Sequence, residues 1–433
     1  VNVRTFFQGT GNLPSKILVY AGIGIAALLS PTACRKSETL PRPPVAEIIP
    51  HELTTHGQTR IDNYYWLRER ENPKVIAYLK AENDYLAARM KHTAPLQEIL
   101  YREIVGRMKQ TDMSVPHRLN GYDYYTRFEE GKDYPIYCRN KAGRDASEEI
   151  LLDANEMARG HAYFSLTGLS VSPDNLWLAY GTDTVGRRLY TLQFKNLRSG
   201  EILADEIVNT TGSAEWSNDN RTVFYTVKDT TTLRPYLIRK HVLGTDPSGD
   251  EDVYVETDET FDVDVGKSKS KKYLIIVSES TVSTEFRYLE ASNPDGDFQV
   301  FQPRERDLEY EIEHFQERWL IRTNLGAKNF RLMETPEKKT GKENWTEVIP
   351  HRDDVLLEDF EIFDRFLVLE ERKSGLTGMR IIRWQDRSER NLDFGEETYA
   401  ASIGLNPELE SEWLRYEYSS LTTPNSTFDY ILE

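Results

Sequence analysis

The sequence predicts a mainly β protein, a seven-bladed β-propeller preceded by an amphipathic α-helical arm. Three observations lead there. The 433 residues include 24 tyrosines and many runs of Val, Ile, Thr and Phe, which favour strand. A strand pattern then recurs at a nearly constant interval through most of the chain. Ahead of the repeat lie two segments whose apolar residues return every three or four positions, the period of a helix.

The repeat is the strongest of the three. Related second-strand patterns centre on Tyr124, Leu178, Phe224, Leu274, Leu320, Leu367 and Leu414, at spacings of 54, 46, 50, 46, 47 and 47 residues. Each follows a short first strand and a polar turn, such as Ser172-Pro173-Asp174-Asn175 or Ser217-Asn218-Asp219-Asn220. Two further short strands follow each one except the last, which the chain leaves incomplete. Four strands in forty to fifty residues, repeated around a ring, bury both faces of every sheet, which no single blade achieves alone. The propeller is assigned to residues 113–433.

The helical arm is assigned to residues 45–112. Pro73 to Met90 sets Val75, Ile76, Leu79, Tyr85 and Leu86 on one side, and Pro95 to Met108 does the same with Leu96, Ile99, Leu100 and Ile104. Proline in the first turn suits a helix start, because its missing N–H would have no partner there. Such faces need a surface to cover.

Residues 1–34 read as an export signal. Arg4 and Lys16 precede an apolar stretch, Ile17 to Leu29, too short to span a bilayer, followed by Ser30-Pro31-Thr32-Ala33-Cys34. Cysteine directly after Thr-Ala resembles a bacterial lipoprotein processing site, which makes Cys34 the candidate lipidation site and a lipid anchor to the membrane an expected partner. The expected location is the bacterial envelope, or the cytoplasm if this segment is not a signal. Residues 35–44 form a proline-containing tether.

A net charge of −17 argues against nucleic-acid binding, which needs a basic stripe. Two cysteines, Cys34 and Cys138, give neither a disulfide framework nor a multi-cysteine metal site. No phosphate-cradling glycine loop occurs, and no cofactor or metal is expected. His51-Glu52-Leu53-Thr54-Thr55-His56 departs from the zinc motif H-E-x-x-H by one residue, so its two imidazoles would not share a helix face. A serine nucleophile of the α/β-hydrolase kind needs a G-x-S-x-G turn. The nearest run, Gly168-Leu169-Ser170-Val171-Ser172, lacks the second glycine and leads into a strand, so no catalytic residue is assigned.

One electrostatic pattern stands out. First strands of three successive repeats alternate acid with apolar residues. Asp262, Asp264, Glu309, Glu311, Glu313 and Glu361 are therefore candidates for an acidic lining of the central channel. Pairing of these carboxylates with arginines across blade seams is the competing expectation.

The run Thr55 to Arg68 (THGQTRIDNYYWLR) closely resembles the amino-terminal signature of the oligopeptidase B group in the prolyl oligopeptidase family of serine peptidases. The resemblance continues through Glu148–Asn155, Arg239–Thr245, Gly326–Phe330 and Leu414–Pro424, and covers residues 45 to 433. It implies an α/β-hydrolase domain beyond residue 433, absent from this chain, that carries Ser, Asp and His and is covered by arm and propeller. It also implies cleavage of short basic peptides after Lys or Arg by acyl-enzyme chemistry, gated by the propeller. The chain alone is then expected to be inactive. A stand-alone envelope lipoprotein propeller that binds peptides or proteins is the alternative.

Overall fold

The computed structural model describes residues 41–143 and 147–433. The export segment 1–34 with Cys34, and most of the 35–44 tether, lie outside them. The chain divides into two compact units, up to Met108 and from Lys109 onward.

The arm region 45–112 is not all helix: the first unit opens with a hairpin. Strand β1 (His51–Thr55) pairs with β2 (Gln58–Asp62), Thr55 facing Gln58. The two-residue turn His56-Gly57 has both φ values positive, 51° and 75°, as a type I′ hairpin turn requires. The His51–His56 segment is thus strand running into a turn rather than helix. Helix α1 (Pro73–Met90) is capped by Asn72, whose side chain accepts the Lys74 N–H. Helix α2 follows as Ala94–Arg107. Only Val75 of α1 is buried; Ile76, Leu79, Leu86, Leu96, Ile99, Leu100 and Ile104 remain exposed on the two helices.

The second unit is built from the repeats. The first supplies β3 (His117–Leu119), β4 (Tyr122–Arg127), β5 (Ile136–Lys141) and β6 (Glu148–Asp153). The second supplies β7 (Ser165–Val171), β8 (Trp177–Asp183) and β9 (Tyr190–Asn196). The third supplies β10 (Ile207–Trp216), β11 (Thr222–Lys228), β12 (Pro235–Val242) and β13 (Glu251–Val255). The fourth has β14 (Asp262–Lys267), β15 (Tyr273–Ser280), β16 (Ser283–Glu290) and β17 (Gln299–Gln302). The fifth has β18 (Tyr310–Phe315), β19 (Arg318–Thr323), β20 (Arg331–Pro336) and β21 (Thr346–Ile349). The sixth has β22 (Leu356–Ile362), β23 (Phe366–Lys373), β24 (Leu376–Arg383) and β25 (Glu389–Asn391). The last has β26 (Ala400–Ile403), β27 (Trp413–Ser419) and β28 (Ser426–Ile431).

All seven landmark residues fall on second strands of these repeats, and all are buried. The expected count of seven separate blades, however, needs correction. Five blades are discrete sheets, four of four strands and one of three, while repeats two and three merge into one seven-stranded sheet. The cause is β10. Ile207 and Thr210 pair with β9, and Ala214, Glu215 and Trp216 pair with β11, so one continuous strand serves both neighbours. Gly212, at φ 91°, lies in the bend between the two halves, where an added Cβ would stand 2.5 Å from Thr167 Cγ2. Gly168 approaches the same point: its added Cβ would sit 2.0 Å from the Gly212 carbonyl oxygen. Only residues without a side chain let β7 and β10 come this close.

Successive repeats are welded by apolar clusters. Tyr124 and Leu151 meet Leu178 and Tyr180, Phe194 meets Trp216, and Phe224 and Ile238 meet Val263 and Leu274. Tyr273 and Phe301 meet Trp319, Phe315 and Leu332 meet Ile362 and Leu367, and Phe366 and Met379 meet Leu414 and Tyr418. Each fully buried side chain of this size contributes about 1.5–3 kcal/mol.

Candidate functional site

The first strands of the repeats enclose a cavity of about 700 Å³. Leu119, Val171, Trp216, Lys267, Glu313, Glu361 and Leu405 all line it, so every repeat contributes to the wall. This is the central channel at the end where first strands turn into second strands.

Strand alternation decides which side chains reach it. In β14, Val263 is buried while Asp262 and Asp264 are exposed; in β18, Ile312 and His314 are buried while Glu311 is exposed. Of the six candidate acids, the structure brings Glu313 and Glu361 together at the cavity. Asp262, Asp264, Glu309 and Glu311 occupy positions farther along the same strand segments. Glu311 pairs with Arg322 of its own sheet at 3.0 Å, Asp264 accepts the Thr226 hydroxyl from repeat three at 3.1 Å, and Glu309 accepts Asn324 Nδ2 at 3.1 Å.

Sequence reasoning missed Glu215 and the lysines of the lining. Glu215 joins the acids at the cavity and Lys267, Lys269 and Lys271 oppose them, while Asp359 is exposed on β22, two positions before Glu361. Lys267 Nζ lies 3.7 Å from Glu215, and Lys269 Nζ donates to Glu361 at 2.6 Å. Lys269 also gives its backbone N–H to Glu313 at 3.0 Å. Burial dominates the titration here. It pushes Glu313 up to about 7, and raises Glu215, Glu311, Asp359 and Glu361 above the ordinary carboxylate range. It also lowers Lys267 and Lys269, so low-dielectric surroundings pull both partners of each pair toward neutrality. The turn end of the channel is therefore mixed in charge, whereas Asp262, Asp264, Glu311 and Asp359 make the rest of β14, β18 and β22 acidic.

A serine, a histidine and a carboxylate do meet in this unit. Ser270 Oγ lies 2.8 Å from His314 Nδ1, and His314 Nε2 lies 2.9 Å from Glu337. The imidazole is 1% exposed, with Tyr273 and Trp319 against it at ring distances of 4.9 and 5.0 Å. Ser270 Oγ also bonds Ser268 Oγ, and Lys272 bonds Glu337. With both ring nitrogens engaged and its surroundings packed, His314 offers no approach for a scissile carbonyl. The arrangement pins a turn. Ser172 is likewise a turn residue, its hydroxyl donating to Asp174 at 2.6 Å and accepting the Trp177 N–H at 3.0 Å. The Ser170 carbonyl accepts Trp216 Nε1.

Residues 43–433 match the family profile described as the prolyl oligopeptidase N-terminal β-propeller domain. The chain is 44% identical over 406 residues to dipeptidyl aminopeptidase BI of Pseudoxanthomonas mexicana, covering 89% of this chain and 56% of that protein. It is 32% identical over 397 residues to protease 2 of Moraxella lacunata, covering 90% and 57%. The chain thus spans little more than half the length of these relatives. Among solved structures, oligopeptidase B from Leishmania major superposes with a TM-score of 0.84 at 29% identity, covering 90% of this chain and 59% of that one. Oligopeptidase B from Trypanosoma brucei, with covalently bound antipain, gives 0.83 at 29% over the same shares. Repeat, ring-lined channel and these similarities converge: the chain belongs to the prolyl oligopeptidase family of serine peptidases and carries its N-terminal β-propeller domain.

Proposed function

We propose that this chain is the substrate-admitting part of a serine oligopeptidase that cleaves short peptides after Lys or Arg, the bond being broken by an α/β-hydrolase domain. The observation that carries this reading is the pair Glu313 and Glu361 at the cavity, with Asp262, Asp264 and Glu311 exposed on the first strands of the same repeats. A channel wall of one sign raises the local concentration of opposite charge, here peptides with guanidinium or ammonium groups. The exposed apolar faces of α1 and α2 supply a surface for the hydrolase domain to cover. The signal-like segment 1–34 supports export to the envelope, with Cys34 as the lipid-bearing residue.

The test is fluorescence anisotropy of a labelled pentapeptide at low salt, with arginine at one position and citrulline at the same position in a control. The arginyl peptide should bind more tightly, and the preference should fall with salt and in the variant Asp264→Asn/Glu311→Gln. Equal affinities would remove the charge selection. A second reading, release of dipeptides from free amino termini, is favoured by the name of the 44% identical relative. It predicts that acetylation of the peptide amine abolishes turnover once a hydrolase domain is present. Peptide binding without turnover in that assembly would instead support a binding module.

A further inference from the structure

We infer that the turn between β14 and β15, residues Ser268–Lys271, is a latch that reaches across the channel mouth and holds the ring closed between its last and first repeats. Among the described residues an apolar cluster bridges every pair of successive repeats, but none bridges the seventh and the first. There Tyr125, Ile136 and Cys138 form a cluster of their own on the face of the first sheet away from repeat two. No strand is shared across that seam either, the last sheet having three strands and the first four. Polar contacts take over. Asn120 N–H donates to Glu408 at 2.6 Å, and Arg415 donates to the Pro116 carbonyl at 2.7 Å.

Lys271 completes that junction from the fourth repeat, on the opposite side of the ring. Its Nζ donates to Asn120 Oδ1 at 2.7 Å and to Glu408 at 3.0 Å, so one ammonium ties both edges of the seam. The backbone is set for it: Lys271 holds φ 62°, the left-handed conformation that asparagines Asn120, Asn175 and Asn220 adopt in the equivalent turns of other repeats. Behind it, Ser270 is pinned through His314 to Glu337, and beside it Lys269 bonds Glu361 and the Ile362 carbonyl of repeat six. The turn thus contacts the first, fifth, sixth and seventh repeats. Peptide entry or ring opening at this end requires its release.

Cys138 reports on the seam. It is 1% exposed, lines the same cavity as Leu405 and Pro407, and its thiol is pushed up to about 11, chiefly by burial. In the full chain carrying Cys34→Ser, maleimide labelling of Cys138 follows the population of the opened seam when reclosing is fast. The Lys271–Glu408 pair is partly exposed, 42% and 26%. Lys271→Ala and Glu408→Gln should each speed labelling about fivefold, which is about 1 kcal/mol. The double variant should add little, and Lys271→Arg should restore most of the protection. Hydrogen exchange in Lys271→Ala should rise at β3 and β26 and not in β15. Unchanged labelling in both single variants would overturn the latch. So would exchange rising equally in every repeat, since that marks a general loss of stability rather than a seam.

Discussion

Replacing Glu256 by glutamine removes the charge from a node that joins the third repeat to the fourth. Glu256 follows β13 and is 4% exposed. Arg304 bonds its Oε2, which also accepts Ser278 Oγ at 2.6 Å and Tyr254 OH at 2.8 Å, while Oε1 accepts the Asp258 N–H at 2.9 Å. Burial alone would raise this carboxyl, but Arg304 and the hydroxyl and amide donors overcome it and hold the group at about 2 against an ordinary 4.5. At 1.36 kcal/mol per pH unit the difference is about 3 kcal/mol of folding stability. Because the folded value is depressed, this stability is present above pH 4.5 and is lost as pH falls toward 2. Urea unfolding followed by tryptophan fluorescence should show Glu256→Gln destabilised by about 3 kcal/mol at pH 7, with less than half of that difference left at pH 3. A variant within about 1 kcal/mol of the parent at pH 7, or a gap that does not narrow with acid, would refute the reasoning.

Gly168→Ala should cost more than 2 kcal/mol, because its Cβ would meet the backbone of Gly212 rather than a movable side chain. Gly57→Ala, with open space around it, should cost about 1 kcal/mol through its positive φ alone; thermal unfolding compares the two. Binding of an arginyl peptide should strengthen as pH rises through about 7, where Glu313 ionises, and Glu313→Gln should flatten that profile in the anisotropy assay. Ile99→Asp, on an exposed face of α2, should leave the thermal midpoint of this chain within about 1 °C, a surface change of the ±0.5 kcal/mol class, yet weaken association with a hydrolase domain in sedimentation.

The repeats were legible because each second strand carries a buried hydrophobe a few residues after a turn with polar residues. Leu178, Leu274, Leu320 and Leu367 are wholly buried where the period put them. The fusion of repeats two and three was not legible. It rests on positive φ at Asn209 and Gly212, which lets β10 bend and continue, and backbone angles are not written in the strand period. The β1–β2 hairpin escaped notice because its turn is His-Gly rather than Asn-Gly, between strands too polar to mark a face. Simple alternation exposed Asp262, Asp264, Glu311 and Glu313, since β14 and β18 pair in unbroken register. Asp359 was lost because the register of β22 shifts between Leu357 and Asp359 and changes the phase. Lys269 and Lys271 were lost because they act from a turn, and nothing local in a sequence says which distant glutamate a turn lysine will meet.

The central claim is that this propeller selects peptides for chemistry performed by another domain. The direct measurement is release of fluorophore from a short arginyl amide, by the purified chain alone and by the chain joined after Glu433 to the remaining segment of the Pseudoxanthomonas mexicana relative. Turnover by the joined protein and none by the chain alone is the expected result. Steady turnover by the chain alone, surviving purification and a serine-to-alanine change in the joined segment's nucleophile, would contradict it.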